Sequence, residues 1–431
     1  MLSDNISRSN EGTLLFAGRS VTELAAKYGT PLYLMDEERI RRNCRMYLDA
    51  FRKHFGSDSL PLYAGKAAAF KEMYRIMSQE GMGVDAVSPG EIHTALAAGF
   101  PADRIMFHGD GKTDADICFG LDAGVGRFVV DNPEELEVLN AEAKRRGLRQ
   151  KILLRITPGI DPHTYEEVDT GSVDVKFGVP ILTGQAAEFV RAALDAEGIE
   201  LTGFHCHVGS QVFDEDVFER TADVMTAFIA DMRDRFGFTA RELNLGGGYG
   251  VRYVESDPPA DIPARLGEVA ARLRRDTEKA GLPFPRVFME PGRSIVADAG
   301  MTVYTVSTVK RITGFKNYVT TDGGMTDNPR YCLYGARYTV CHGSRVSAEN
   351  EIFDLVGRCC ESGDILQKNV SLPADTRRGD IVCVCTTGAY NYSMASNYNR
   401  LGRPPVVMLA KDGDRIAVRR ETAEDMCALD V

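Results

Sequence analysis

The stretch FVVDNPEELEVLNAEAKRRGLRQKILLRIT, residues 128–157, carries one full turn of the pattern that decides the fold. A short apolar run, FVVD, leads into Asp131-Asn132-Pro133. Proline suits a first helical turn because its missing N–H is one the helix would leave unpaired anyway. An amphipathic segment follows, Gly147 fits the C-terminal end of a helix, and KILLRIT resumes as a strand.

The same alternation extends in both directions, from about residue 31 to 290. PLYAG (61–65), VDAV (84–87), IMFH (105–108), LTGFHCHV (201–208), LNLG (243–246) and VFME (287–290) read as further strands. Helix-like segments such as PGEIHTALAAG and TGQAAEFVRAALDAEG lie between them. Pro89 follows Ser88 at one such start, and Gly99 and Gly198 close others. About eight β-α repeats without a dominant glycine-rich first turn predict a (β/α)8 barrel. A doubly wound open sheet is the rival, since pattern alone does not show closure.

Beyond Arg293 the texture changes. MTVYTVSTVKRI, YVTTD, IFDLV, DIVCVCTT and PPVVMLA are β-rich and predict a separate β domain, a barrel or sandwich. The expected division is an N-terminal segment (1–35) packing with the β domain, a cofactor-binding barrel (36–293) and a C-terminal β domain (294–431).

Composition excludes several classes. The 431 residues are 44% hydrophobic and 26% charged, ordinary for a globular chain and unlike a disordered one. A net charge of −11 with no basic block argues against nucleic acid and anionic membrane as partners. No apolar run spans a bilayer, and MLSDNISRSNEG lacks the apolar centre of a secretory signal. The ten cysteines are scattered without C-x-x-C spacing, and Cys206, Cys383 and Cys385 sit in apolar runs where free thiols pack well. A reduced, cytoplasmic protein is expected.

In a (β/α)8 barrel the functional groups stand at the C-terminal ends of the strands. There this sequence places Lys66, His205 with His207, Gly246-Gly247-Gly248, and Glu290-Pro291-Gly292-Arg293. Each has a plain reading. Lys66 suits a solvated charge, or an amine whose desolvation at the rim favours imine chemistry. The glycines suit a tight turn, or backbone N–H groups brought close to an anion. His205 and His207, two apart, would share one face of a strand. They suit a metal pair, though no clear further ligands accompany them, or one ring stacked on a flat cofactor and the other in the core. Glu290 suits an ion pair with Arg293, or a carboxylate holding a pyridine nitrogen protonated.

Taken in order, Y-A-G-K-A (63–67), H-C-H-V-G-S-Q (205–211), G-G-G-Y-G (246–250) and E-P-G-R (290–293) resemble the fold-type III pyridoxal-phosphate decarboxylases. Downstream, M-T-D-N-P-R (325–330), L-Y-G-A (333–336), C-E-S-G-D (360–364) and G-A-Y-N-Y-S-M-A-S-N-Y-N (388–399) resemble that family's diaminopimelate decarboxylase branch. The resemblance implies pyridoxal 5'-phosphate as cofactor, no metal, and a homodimer with shared active sites. It implies decarboxylation of meso-2,6-diaminopimelate to L-lysine. Lys66 would carry the cofactor as an imine, His207 would stack on its ring, Glu290 would meet its nitrogen, and Asp85 would join the cofactor-binding set. Ser210, Gly246, Gly247, Gly248 and Gly292 would hold the phosphate, with Arg293 beside them. Arg293, Arg330 and Tyr334 would bind the non-reacting carboxylate, and Tyr390 would touch cofactor and substrate. Cys360, as proton donor, and Glu361, as holder of the distal ammonium, would enter from the partner subunit. The chain departs from the family pattern at Tyr331-Cys332 and at Arg358, which bears on loop conformation. The alternatives are a related decarboxylase of ornithine, arginine or a carboxylated polyamine, a metal-dependent barrel hydrolase, and a non-catalytic homologue.

Overall fold

The computed structural model describes residues 2–161, 173–214 and 216–431, which divide into two compact units. Asn43–Gly250 with Ala260–Gly292 form one, and Met1–Arg42, Val251–Pro259 and Arg293–Val431 form the other.

In the first unit eight parallel strands close into a barrel among the described residues. They are Leu60–Ala64, Gly83–Ala86, Ile105–Phe107, Arg127–Val130, Gln150–Thr157, Ile199–His205, Glu242–Asn244 and Arg286–Met289. Each pairs with the next, and the last returns to the first through Phe288↔Leu60 and Met289↔Pro61. That closing register excludes the open doubly wound sheet.

The local reasons are those the quoted stretch suggested. The helix Pro133–Arg145 starts where the Asn132 side chain accepts from the Glu135 N–H, and it buries Leu136, Leu139 and Ala143. Pro89–Ala97 begins the same way, with Ser88 accepting from Glu91 N–H. Inside the barrel Leu62, Met106, Val129, Leu153 and Phe288 form the apolar centre. Below it, at the N-terminal ends of the strands, Arg127 donates to both oxygens of Glu242 at 2.7 and 2.5 Å, and Thr202 donates to Oε2 at 2.7 Å.

The second unit is β-rich. Its large sheet runs in the order Ile365–Pro373, Asn350–Val356, Asn317–Thr321, Gly300–Arg311, Leu32–Asp36, Val406–Ala410 and Gly413–Val418. Ile381–Cys385 also pairs with Gly300–Arg311. The N-terminal strand Leu32–Asp36 thus lies between two C-terminal strands, and the first residues belong to this unit. Its core gathers Leu14, Phe16, Leu32, Leu34, Met301, Val303, Cys383 and Val407. No helix among the described residues is long and apolar enough to cross a membrane.

Candidate active site

The C-terminal mouth of the barrel collects polar groups that the apolar centre cannot satisfy. The first strand ends at Ala64, and the turn Gly65–Ala67 lifts Lys66 beyond it. Lys66 is therefore exposed, not desolvated as the sequence suggested. Its positive charge favours the ionised forms of Asp85 and Glu91 and disfavours protonated His207, so these groups share its field. Gly65 is required by packing: a Cβ there would meet the Tyr74 hydroxyl at 2.7 Å and the Asp85 carbonyl oxygen at 3.2 Å.

Asp85, at the second strand, is buried, and that burial pushes its pKa well above the carboxylate range, with Glu290 adding to the effect. His108, His205 and His207 move the other way: burial holds all three well below the ordinary imidazole value. The mouth therefore contains neutral imidazoles.

The two histidines of H-C-H do not share a strand face. The strand stops at His205, whose ring packs edge-on against His108 at 5.0 Å between centroids. His207 lies past the strand end, half-buried, with Nδ1 accepting from the Gly247 N–H at 3.1 Å. Its proton therefore resides on Nε2. The cluster of metal-ligand type is His108, His205 and Glu290, whose donor atoms lie within 4.8 Å of one another, and His207 is not part of it.

The glycine run is also spent differently. Gly246 N–H donates to Asn244 Oδ1 at 2.9 Å and Gly247 N–H to His207, so two of the three amides turn inward. The glycines serve close packing: a Cβ at Gly247 would fall 2.2 Å from the Glu290 carbonyl oxygen, and at Gly248, with φ of 119°, 2.1 Å from that of Gly209. Val212 N–H donates to Gly248 O and Gly250 N–H to Val212 O, which zips the segments carrying Ser210 and Gly248 together. Gly292 packs on Ala64, where a Cβ would come within 2.9 Å.

In the β-rich unit, Arg293 and Arg330 are both buried and share one phenol: Tyr253 Oη accepts from Arg293 Nη1 at 2.8 Å and from Arg330 Nη1 at 3.5 Å. Arg330 also donates to Tyr338 Oη at 2.8 Å. The two guanidiniums lie 4.8 and 5.4 Å from the Tyr390 ring, and Arg330 lies 5.9 Å from that of Tyr334. Tyr390 adopts φ of 70°, a left-handed backbone uncommon for a bulky residue.

Cys360 and Glu361 stand on an exposed loop of the same unit. Asp364 holds that loop by accepting from Met325 N–H at 2.6 Å and Cys359 N–H at 2.7 Å, and Asn399 Oδ1 accepts from Cys360 N–H at 2.8 Å. The departing residue Cys332 donates its thiol to Gly363 O at 2.9 Å, a tie from the Arg330 helix to the loop. The neighbouring Cys359 is half-buried, and burial raises its thiol to about 12.

Sequence reasoning missed Glu91, His108, Asn244, Tyr253 and Tyr338. A strand-end census of every strand would have flagged His108 and Asn244. Tyr253 and Tyr338 carry no local signal, being brought to the arginines only by folding.

Comparison with known proteins gives the following. The family described as "Pyridoxal-dependent decarboxylase, pyridoxal binding domain" matches residues 37–297. The diaminopimelate decarboxylase of Bacillus subtilis is 40% identical over 99% of this chain and 97% of its own length. That of Mycobacterium tuberculosis is likewise 40% identical over 99% of this chain and 97% of its own. The crystal structure of diaminopimelate decarboxylase from M. jannaschii in complex with L-lysine superposes with a TM-score of 0.91 at 32% identity, covering 99% of this chain and 98% of that one.

Proposed function

This chain belongs to the pyridoxal-dependent decarboxylases, and on that premise we propose that it decarboxylates meso-2,6-diaminopimelate to L-lysine and CO2, the last step of lysine biosynthesis. It is a carboxy-lyase, and relatives that match its full length carry the diaminopimelate decarboxylase name. The observation that carries the substrate reading is Arg330. It is a buried cation whose hydrogen bonds run only to phenols among the described residues, next to Arg293 on the same Tyr253. A buried guanidinium wants a carboxylate, and a diamino diacid keeps one after the other leaves.

The barrel mouth fits pyridoxal 5'-phosphate on its own features. It offers an exposed amine, neutral imidazoles, a buried carboxylate and a rim where glycine and alanine leave no bulk. Lys66 Nζ would bind the cofactor covalently, Glu290 would meet its ring nitrogen, His207 would lie on the ring face, and Asp85 would stand by Lys66. Ser210, Gly248 and Gly292 would hold the phosphate, with Gly246 and Gly247 shaping that cradle through packing. When bound, the cofactor supplies an electron-accepting ring for the charge left by departing CO2.

The chain's own groups do the rest. Arg293, Arg330 and Tyr334 would fix the non-reacting carboxylate, and Tyr390 would touch substrate and cofactor. Cys360 Sγ would return a proton to the α-carbon, and Glu361 would hold the distal ammonium, both in the site of a second copy within a homodimer. A cytoplasmic location is part of the same proposal, supported by cysteines that are all unpaired.

The test is CO2 release from meso-diaminopimelate set against ornithine, arginine and lysine. Turnover of the diacid alone is expected, and preference for ornithine or arginine refutes the reading. Arg330→Ala should lower kcat/KM for the diacid by about 10- to 100-fold, measured in the same assay.

A further inference from the structure

Among the described residues, the polar contacts to Glu290 gather on one oxygen. Asn244 Nδ2 donates to its Oε1 at 2.6 Å, and His205 Nε2 and His108 Nε2 lie 3.1 and 3.2 Å from that same oxygen. None of the three contacts involves Oε2. The four residues are 8%, 0%, 1% and 3% exposed, for Glu290, Asn244, His205 and His108 in turn. They come from four strand ends, so no local sequence motif unites them.

The two imidazole contacts are unfinished. His108 Nε2 and both nitrogens of His205 are buried without a hydrogen-bonded partner, as is Asp85 Oδ1, 3.7 Å from His108 Nε2. A buried N–H left unpaired costs stability, so a group with a use for it is expected nearby. Among the described residues, the one carboxylate oxygen within reach of both rings is Glu290 Oε1. Burial disfavours the charged form of both rings, and a neutral ring with its proton on Nε2 has one N–H to offer, 3.1 and 3.2 Å from that oxygen.

We propose that His108 and His205 are positioning residues: together with Asn244 they clamp Oε1 of Glu290, so that Oε2 is presented to the cofactor's ring nitrogen. This rests on the pyridoxal reading above and deepens it. A carboxylate loaded on one oxygen has one remaining direction in which to act. The remaining charged or titratable groups in its field are Asp85, Cys206 and His207, with Lys66, Lys112 and Arg155 acting on the histidines.

The experiment compares His205→Gln, which keeps a side-chain N–H donor, with His205→Phe, which keeps ring volume and removes it. His108→Gln and His108→Phe form a parallel pair. Each is measured at pH 7.5 for pyridoxal phosphate dissociation by equilibrium dialysis, the absorbance of the bound cofactor, kcat and KM for meso-diaminopimelate, and the thermal midpoint without cofactor. The Phe variants should bind cofactor about 10-fold more weakly and lose about 10- to 100-fold in kcat. Their KM and cofactor-free midpoint should stay near wild type, and the Gln variants should recover most of the loss. Equal losses in Gln and Phe, losses that follow the midpoint, or Phe variants indistinguishable from wild type overturn the proposal. Stoichiometric zinc that survives dialysis in wild type and disappears in His205→Phe also overturns it, assigning the trio to a metal. Wild-type protein that takes up no pyridoxal phosphate removes the functional reading as well; normal uptake with unaltered variants removes this inference alone.

Discussion

The two ends of the barrel interior treat a buried carboxylate in opposite ways. At the N-terminal end, Glu242 receives two hydrogen bonds from Arg127 and one from Thr202. Burial opposes its charge, but those partners outweigh it and its pKa falls below the ordinary glutamate value. At the C-terminal end, Asp85 is pushed up, three histidines are pushed down, and several polar atoms have no hydrogen-bonded partner. One end is finished as structure. The other holds polar groups at a cost that stability alone does not explain, as a binding site does.

Four changes test that contrast. Lys66→Ala should abolish turnover, by about 10^4-fold, while the cofactor-free protein melts as before, since Lys66 is exposed. CO2 release and thermal scans measure the two. Arg127→Ala at the other end should do the reverse. It strands Glu242 inside the barrel and should cost about 3–5 kcal/mol in urea unfolding, with kcat per folded molecule little changed. Asp85→Asn removes a carboxyl whose charged form burial disfavours. It should stabilise the cofactor-free protein by about 1–3 kcal/mol near neutral pH and lower activity; a loss of stability would place Asp85 among the structural groups.

The smallest effect is on pH dependence. Glu242 has a depressed folded pKa, so its contribution is present above its unfolded value of about 4.5 and is lost as pH falls through the folded value. The mouth histidines are depressed below 6.5, so the unfolded chain binds more protons and stability is lost as pH falls below about 6.5. Asp85, raised above 3.8, acts with the opposite sign as pH rises past that value. Urea midpoints between pH 5 and 7 should therefore flatten in His205→Phe.

Much of this was legible in the chain. The strand runs fall within a residue or two of the observed strands except at LTGFHCHV, where the strand stops at His205. The error has a physical source: apolar residues continue past His205 because they pack the rim, and alternation does not distinguish a strand from a packed loop end. The glycine run was recognised as special, and folding adds a packing reason that the chain alone does not show. Close approach of the Glu290 and Gly209 carbonyl oxygens requires glycine at 247 and 248.

The sequence by itself determined the repeat of strand and helix, the change to β texture after Arg293 and the ordered motifs that mark the family, because these are written in local periodicity, capping residues and short runs. Only the tertiary structure decided that the sheet closes, through Phe288↔Leu60, and that Leu32–Asp36 lies between Gly300–Arg311 and Val406–Ala410. It alone brought His108, His205, Asn244 and Glu290 onto one oxygen and set two arginines on one tyrosine. Such convergence depends on register and closure between segments far apart in the chain, and no window of sequence contains it.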